Sequence, residues 1–182
     1  SDLHGKLAAS VGVKWTAKTL ADDRIRFPMT RTKSDKKVLV VRSFSSHASV
    51  TTMMKYARAG KAVIFSGAAP LEKLADGGKE LRFDRTLKSE RQSYVDLNGN
   101  LAFDSDSEKQ KVYSVGVSLS RKLGTGKDAV ESKVVVYGDA DAVSDRILGF
   151  AATNQILFGE VLRWLGGEES FTGTQSSEED VP

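Results

Sequence analysis

Two continuous apolar runs, Val38-Leu39-Val40-Val41 and Ala62-Val63-Ile64-Phe65, interrupt an otherwise mixed pattern in the first half of the chain. Both are short, rich in β-branched residues and bounded by polar residues or Gly, so both predict strands. A third run, Val134-Val135-Val136-Tyr137, ends in Gly138-Asp139. Its unbroken apolar character is that of a parallel strand covered on both faces, and it is expected at the centre of a sheet. Tyr94-Val95-Asp96-Leu97 and residues 112–119 alternate apolar and polar positions instead, the period of strands with one wet face. Asn98-Gly99-Asn100 signals a turn before Leu101-Ala102-Phe103.

Helical periodicity is clearest over residues 154–165, where Leu157, Val161, Trp164 and Leu165 share a side, Ile156 and Phe158 widen the stripe, and Gly166-Gly167 ends it. Residues 50–59 predict a second helix, stopped by Gly60, and residues 3–10 a third. Helices alternating with buried strands predict an α/β fold with a mainly parallel, layered sheet. Residues 1–169 are read as a single α/β domain and 170–182 as an acidic disordered tail or linker. Residues 122–132, with Gly124-Thr125-Gly126, read as an exposed loop between two strands.

A content of 40% hydrophobic and 28% charged residues is that of a globular chain, so disorder is confined to the ends. No run approaches the roughly 20 apolar residues of a membrane span, and the N-terminus lacks the pattern of a secretion signal. The chain starts at Ser1 without an initiating Met, as expected of a segment from a longer protein. The net charge of +3 is uneven: five acidic residues and no basic ones lie in 166–182, which leaves 27 basic against 19 acidic residues, or +8, on the body. Such a body could attract phosphates or anionic headgroups, although the charges are scattered rather than clustered.

With no Cys and only His4 and His47, thiolate chemistry is excluded and a multi-histidine zinc centre is not expected. No metal and no cofactor are predicted. Gly124-Thr125-Gly126-Lys127 fails as a phosphate loop, since Asp128 follows the Lys, and no Gly-x-Ser-x-Gly string occurs. The most informative segment is the strand end at 138–145. Asp139, Asp141, Ser144 and Asp145 there could bind a polar ligand or a cation at the carboxyl edge of a sheet, or could simply cap turns and a helix. His47, in Ser45-Ser46-His47-Ala48-Ser49, is a further candidate ligand-binding residue, though no partners complete a catalytic set.

The stretch Val-Val-Val-Tyr-Gly-Asp-Ala-Asp-Ala-Val-Ser-Asp, leading through Asn154-Gln155-Ile156-Leu157-Phe158 to Trp164-Leu165-Gly166-Gly167-Glu168, resembles the extracytoplasmic auxiliary subunits of uncharacterised ABC transporters, which include the gliding-motility auxiliary component. In that family a strand ending in Gly-Asp-Ser/Ala-Asp precedes an Asn-x-x-Leu-Phe helix. Ser46 to Thr51 resembles the family's His-Pro-Ile-Thr string, with Ala48 in place of the Pro. The resemblance implies a sheet related to class I glutamine-amidotransferase-like folds and no catalytic triad. It also implies a membrane-anchored protein on the periplasmic side of the bacterial inner membrane, held by segments outside this chain. The partners it implies are an ABC permease and ATPase, or another envelope protein, and not nucleic acid. Two other readings compete: a hydrolase or amidotransferase-like enzyme using Ser66 or His47, and a module binding polyanions or lipid headgroups.

Overall fold

The computed structural model describes residues 3–75, 80–126 and 129–168. Four α-helices are found among the described residues: α1 (Leu3–Ser10), α2 (Met53–Arg58), α3 (Asp145–Leu148) and α4 (Ala152–Leu165). The first five strands are β1 (Val13–Trp15), β2 (Thr19–Ala21), β3 (Val38–Val41), β4 (Ser43–Phe44) and β5 (Val63–Ser66). The remaining five are β6 (Leu71–Lys73), β7 (Arg82–Lys88), β8 (Tyr94–Asp96), β9 (Ser114–Leu123) and β10 (Val130–Tyr137). The fold is mixed α/β. Its largest sheet has the order β10-β9-β7-β4, and β1-β6, β2-β8 and β3-β5 form two-stranded ribbons.

Every strand pair among the described residues is antiparallel, which corrects the expectation of a mainly parallel sheet. The relation to amidotransferase-like folds therefore has no support in the strand pairing. The physical reason lies in what an unbroken apolar run reports. It reports cover on both faces, not strand direction. The β3-β5 ribbon sets Leu39, Val41, Val63 and Phe65 into the main core, while Val38, Val40 and Ile64 enter a second cluster with Ile147 and Ala151. A ribbon sandwiched between two clusters thus carries the same pattern as a central parallel strand.

The same reasoning relocates residues 134–137, which were expected at the centre. They belong to β10, which pairs only with β9 and forms the sheet's edge, half-buried along residues 132–137. Val135 and Tyr137 still pack on the main core and Val134 and Val136 on a cluster with Ala8, Val13, Leu71, Val117 and Leu119. The β10-β9-β7-β4 sheet is accordingly a middle layer, with α4 against one face and α1 and the β1-β6 ribbon against the other.

Helix α4 contributes Leu157, Val161 and Trp164 to the interior, whereas Phe158 and Leu165 face outward. Gly166 caps it and Gly167 turns the chain with φ +79°. At its middle, the Glu160 carboxylate accepts the Thr52 N–H at 2.8 Å, which ties α4 to the start of α2, where a negative charge is favoured. Leu101-Ala102-Phe103 forms no strand. Asp96 accepts the N–H groups of Gly99 and Leu101, and Glu108 those of Leu97 and Asp104, so carboxylates rather than a ladder order this loop. Residues 169–182, including the acidic segment, lie outside the described residues.

Candidate functional site

The strand end after β10 is built around two residues with different tasks. Gly138 sits so close to the neighbouring backbone that a β-carbon would run into the Ala69 carbonyl oxygen. That approach lets Ala69 N–H donate to the Gly138 carbonyl (2.8 Å) while Gly138 N–H donates to Val115 (2.9 Å). Asp139, 9% exposed, then reaches across: its Oδ2 accepts the N–H of Ser66 at the end of β5, and its Oδ1 accepts the N–H of Asp141 at 2.8 Å. One carboxylate thereby joins the β3-β5 ribbon to the turn after β10.

The other three residues of this group stand within the following turn. Asp141 opens a 3₁₀ turn (Asp141–Val143) and its carboxylate lies 3.4 Å from Arg146. Ser144 donates to the Asp141 carbonyl (2.7 Å) and accepts from the Ile147 N–H, so it caps α3. Asp145 occupies the first turn of α3 and is exposed. Asp139, Asp141, Ser144 and Asp145 are therefore brought together, and the capping alternative accounts for the Asp139 bond to Asp141 and for both bonds of Ser144, while the Asp139 bond to Ser66 is a long-range tie. Among the described residues no group of three or more His, Cys, Asp or Glu side chains could hold a metal ion.

Burial raises the Asp139 pKa above its ordinary value, partly offset by the two N–H donors from Ser66 and Asp141. Between the ordinary and the raised value the folded chain keeps a proton that the unfolded chain has released. Stability from this group is then greatest below the unfolded pKa and falls as pH rises through the folded one. Urea midpoints measured across that window should show this fall, and Asp139→Asn should flatten it.

Asp139 also lies in the wall of a cleft of about 580 Å³ that runs between α1 and the end of β10. His4, Leu7 and Trp15 form one wall, with the His4 and Trp15 rings 5.5 Å apart, and Val134 and Val136 form the other. Leu3 and Leu7 on α1 are 60% and 59% exposed, unusual for large apolar side chains beside an open groove. A concave, mainly apolar space with a few polar groups in its walls, here His4, Ser10 and Asp139, is the common form of a binding site. Sequence patterning pointed to the strand end but not to α1 as its opposite wall.

His47 lies apart from this cleft's walls, under α4. Its Nδ1 receives the Ser49 N–H at 3.2 Å, which assigns the ring proton to Nε2, facing Asp84 Oδ2 at 3.8 Å. Ser49 Oγ lies within hydrogen-bond distance of both Nδ1 (2.9 Å) and Ser118 Oγ (2.8 Å). Carboxylate, imidazole and hydroxyl follow one another in the order of a nucleophilic relay. Access is what is missing: Ser49 is fully buried, so an acyl donor could not reach Oγ without parting α4 from the sheet. Trp164 covers the imidazole edge-on at 4.9 Å, and Lys133 Nζ lies over the same indole at 5.1 Å while donating to the Trp164 carbonyl. Ser66 donates its N–H to Asp139 and belongs to a separate network.

Asp84 beside His47, Ser118 beside Ser49 and Lys133 over Trp164 are not legible in the sequence, because they arrive from β7, β9 and β10. No helix among the described residues is long and apolar enough to cross a membrane. Comparison with family models, with curated proteins and with solved structures finds no match for this chain.

Proposed function

We propose that this domain is a noncatalytic binding module of an extracytoplasmic ABC-transporter auxiliary protein, and that the cleft between α1 and the β10 strand end receives a partner protein or envelope ligand. The observation that carries the reading is the joining of Asp139 to an apolar groove with an exposed helix as its second wall. It coincides with the segment, residues 133–169, whose sequence resembles that family. The edge position of β10 adds to it, since an unpaired strand edge is a common place for another chain to dock. The burial of Ser49 supports a noncatalytic role, because this hydroxyl beside the His47 imidazole has no path to substrate.

The reading requires a membrane anchor elsewhere in the full-length protein and transporter genes beside its own. Tagged full-length protein extracted from its native membrane should retain the neighbouring permease and ATPase. Leu7→Glu, at an exposed position where folding is unaffected, should reduce that retention at least tenfold. A full-length protein without a membrane segment or transporter neighbours would overturn the proposal, as would retention indifferent to Leu7→Glu.

A further inference from the structure

A second cleft, of about 420 Å³, opens on the far side of the β3-β5 ribbon. Val40, Ala62 and Ile64 line it, Ala151–Thr153 at the start of α4 close one part, and Phe27, Tyr56 and Phe150 supply aromatic surface. Phe27 and Phe150 stack nearly parallel, 8° apart with ring centroids at 5.8 Å, yet Phe150 remains 48% exposed. A large aromatic side chain ordered by stacking and left open to solvent offers a flat apolar surface that nothing among the described residues covers.

The charge on this cleft has one sign. Arg26, Arg42 and Lys61 line it, and among the described residues no carboxylate does. Arg26 is already paired, its Nε 3.2 Å from Asp22 Oδ2. Arg42 and Lys61 are exposed, and among the described residues neither side chain has a hydrogen-bond or ion-pair partner. The β3-β5 ribbon holds them near each other: Arg42 directly follows Val41, Lys61 lies two residues before Val63, and Val41 and Val63 are register partners. Two unpaired cations at one mouth match a doubly charged anion, and the aromatic surface beside them matches a flat apolar body.

We infer that this cleft binds a phosphate monoester carried on an apolar or aromatic group, with Arg42 and Lys61 holding the phosphate and Phe150 and Tyr56 packing the body. The site is separate from the α1 cleft and stands whether or not the transport reading holds. The phosphate monoester could be a soluble metabolite or the headgroup of a membrane lipid, and the two sources present the same chemistry.

The test uses the whole chain with 1-naphthyl phosphate as probe, and with 1-naphthol and inorganic phosphate as its separate halves, followed by fluorescence and amide chemical shifts. The expected result is saturable binding of 1-naphthyl phosphate, at least tenfold tighter than either half, weakening with added salt and shifting amides near Phe150 and Lys61. The double reversal Arg42→Glu, Lys61→Glu should lower affinity for the phosphate ester at least thirtyfold and leave 1-naphthol unchanged. Phe150→Ala should weaken both aromatic probes. All three positions are exposed, so unchanged thermal unfolding of the variants checks that the fold is intact. Equal affinity for 1-naphthol and its phosphate, indifference to the charge reversal, or no saturation at millimolar probe would overturn the proposal. Vesicles of phosphatidylcholine with and without phosphatidic acid separate the sources. Cosedimentation only with phosphatidic acid, displaced by 1-naphthyl phosphate, assigns the site to lipid, and binding of the soluble probe alone assigns it to a soluble ester.

Discussion

Gly138→Ala should destabilise the domain by about 3 kcal/mol or more, a large share of the 5–15 kcal/mol that holds a typical domain folded. The left-handed φ that explains many conserved-looking turn glycines is not involved, because Gly138 is not among the positive-φ glycines. What forbids a side chain is the Ala69 carbonyl in the path of the β-carbon. Relieving the overlap would require moving a segment that bonds Gly138 on one side and Leu20 on the other, through Ala69 N–H and the Ala68 carbonyl. The disturbance would pass to the β2-β8 ribbon and loosen the Asp139 staple. Gly159→Ala makes the complementary comparison. Gly159 lies inside α4 with open space around its α-carbon, so the added methyl should raise stability by up to about 1 kcal/mol. Urea unfolding of the two variants should therefore move in opposite directions. Unfolding midpoints shifted equally by both would show that close packing at Ala69 is not what Gly138 provides.

Asn154→Ala should cost about 2–4 kcal/mol, since it strands three buried backbone groups at once. Asn154 is 1% exposed near the N-terminal end of α4. Its Oδ1 accepts the Ile64 N–H, and its Nδ2 donates to the carbonyls of Ile64 and Ala142, each at 2.9 Å. The amide thus completes the open edge of β5 as a neighbouring strand would, and at the same time holds the turn after β10. Only an amide has both an acceptor and two donors in this arrangement. Asn154→Asp places a carboxylate oxygen against two carbonyls, so its damage at neutral pH should match or exceed that of Ala and lessen in acid as the side chain protonates. Thermal unfolding at pH 7 and at mildly acidic pH measures both effects. An Asp variant as stable as the parent at neutral pH would contradict the hydrogen-bond assignment.

These two positions also show where sequence patterning stops. Gly138 follows an apolar run and Asn154 opens the clearest helical periodicity, yet nothing in their local sequence states their tasks. Gly138 answers to Ala69, and Asn154 to Ile64, 90 residues away. Asp139 and Ser144 were legible as polar residues at a strand end, suited to ligand or cap. Their partners, the N–H groups of Ser66 and Ile147, are seen only in the structure.

Local elements were determined by the sequence itself, because their causes are local. Apolar spacing set α1 and α4, Gly60 and Gly167 with positive φ ended α2 and the C-terminal helix, and β-branched runs made β3, β5 and β10 strands. Strand direction, sheet order and edge position were decided only in the tertiary structure. An apolar run is equally favourable in a parallel or an antiparallel pair, and in a central or an edge strand, whenever other layers cover both faces. The half-polar strand β7, with Arg82, Asp84 and Arg85, gave no periodic signal, and β9 selected it by pairing. The clefts and the imidazole network have the same origin, since each unites side chains from elements distant along the chain, and their meeting depends on packing that no window of sequence contains.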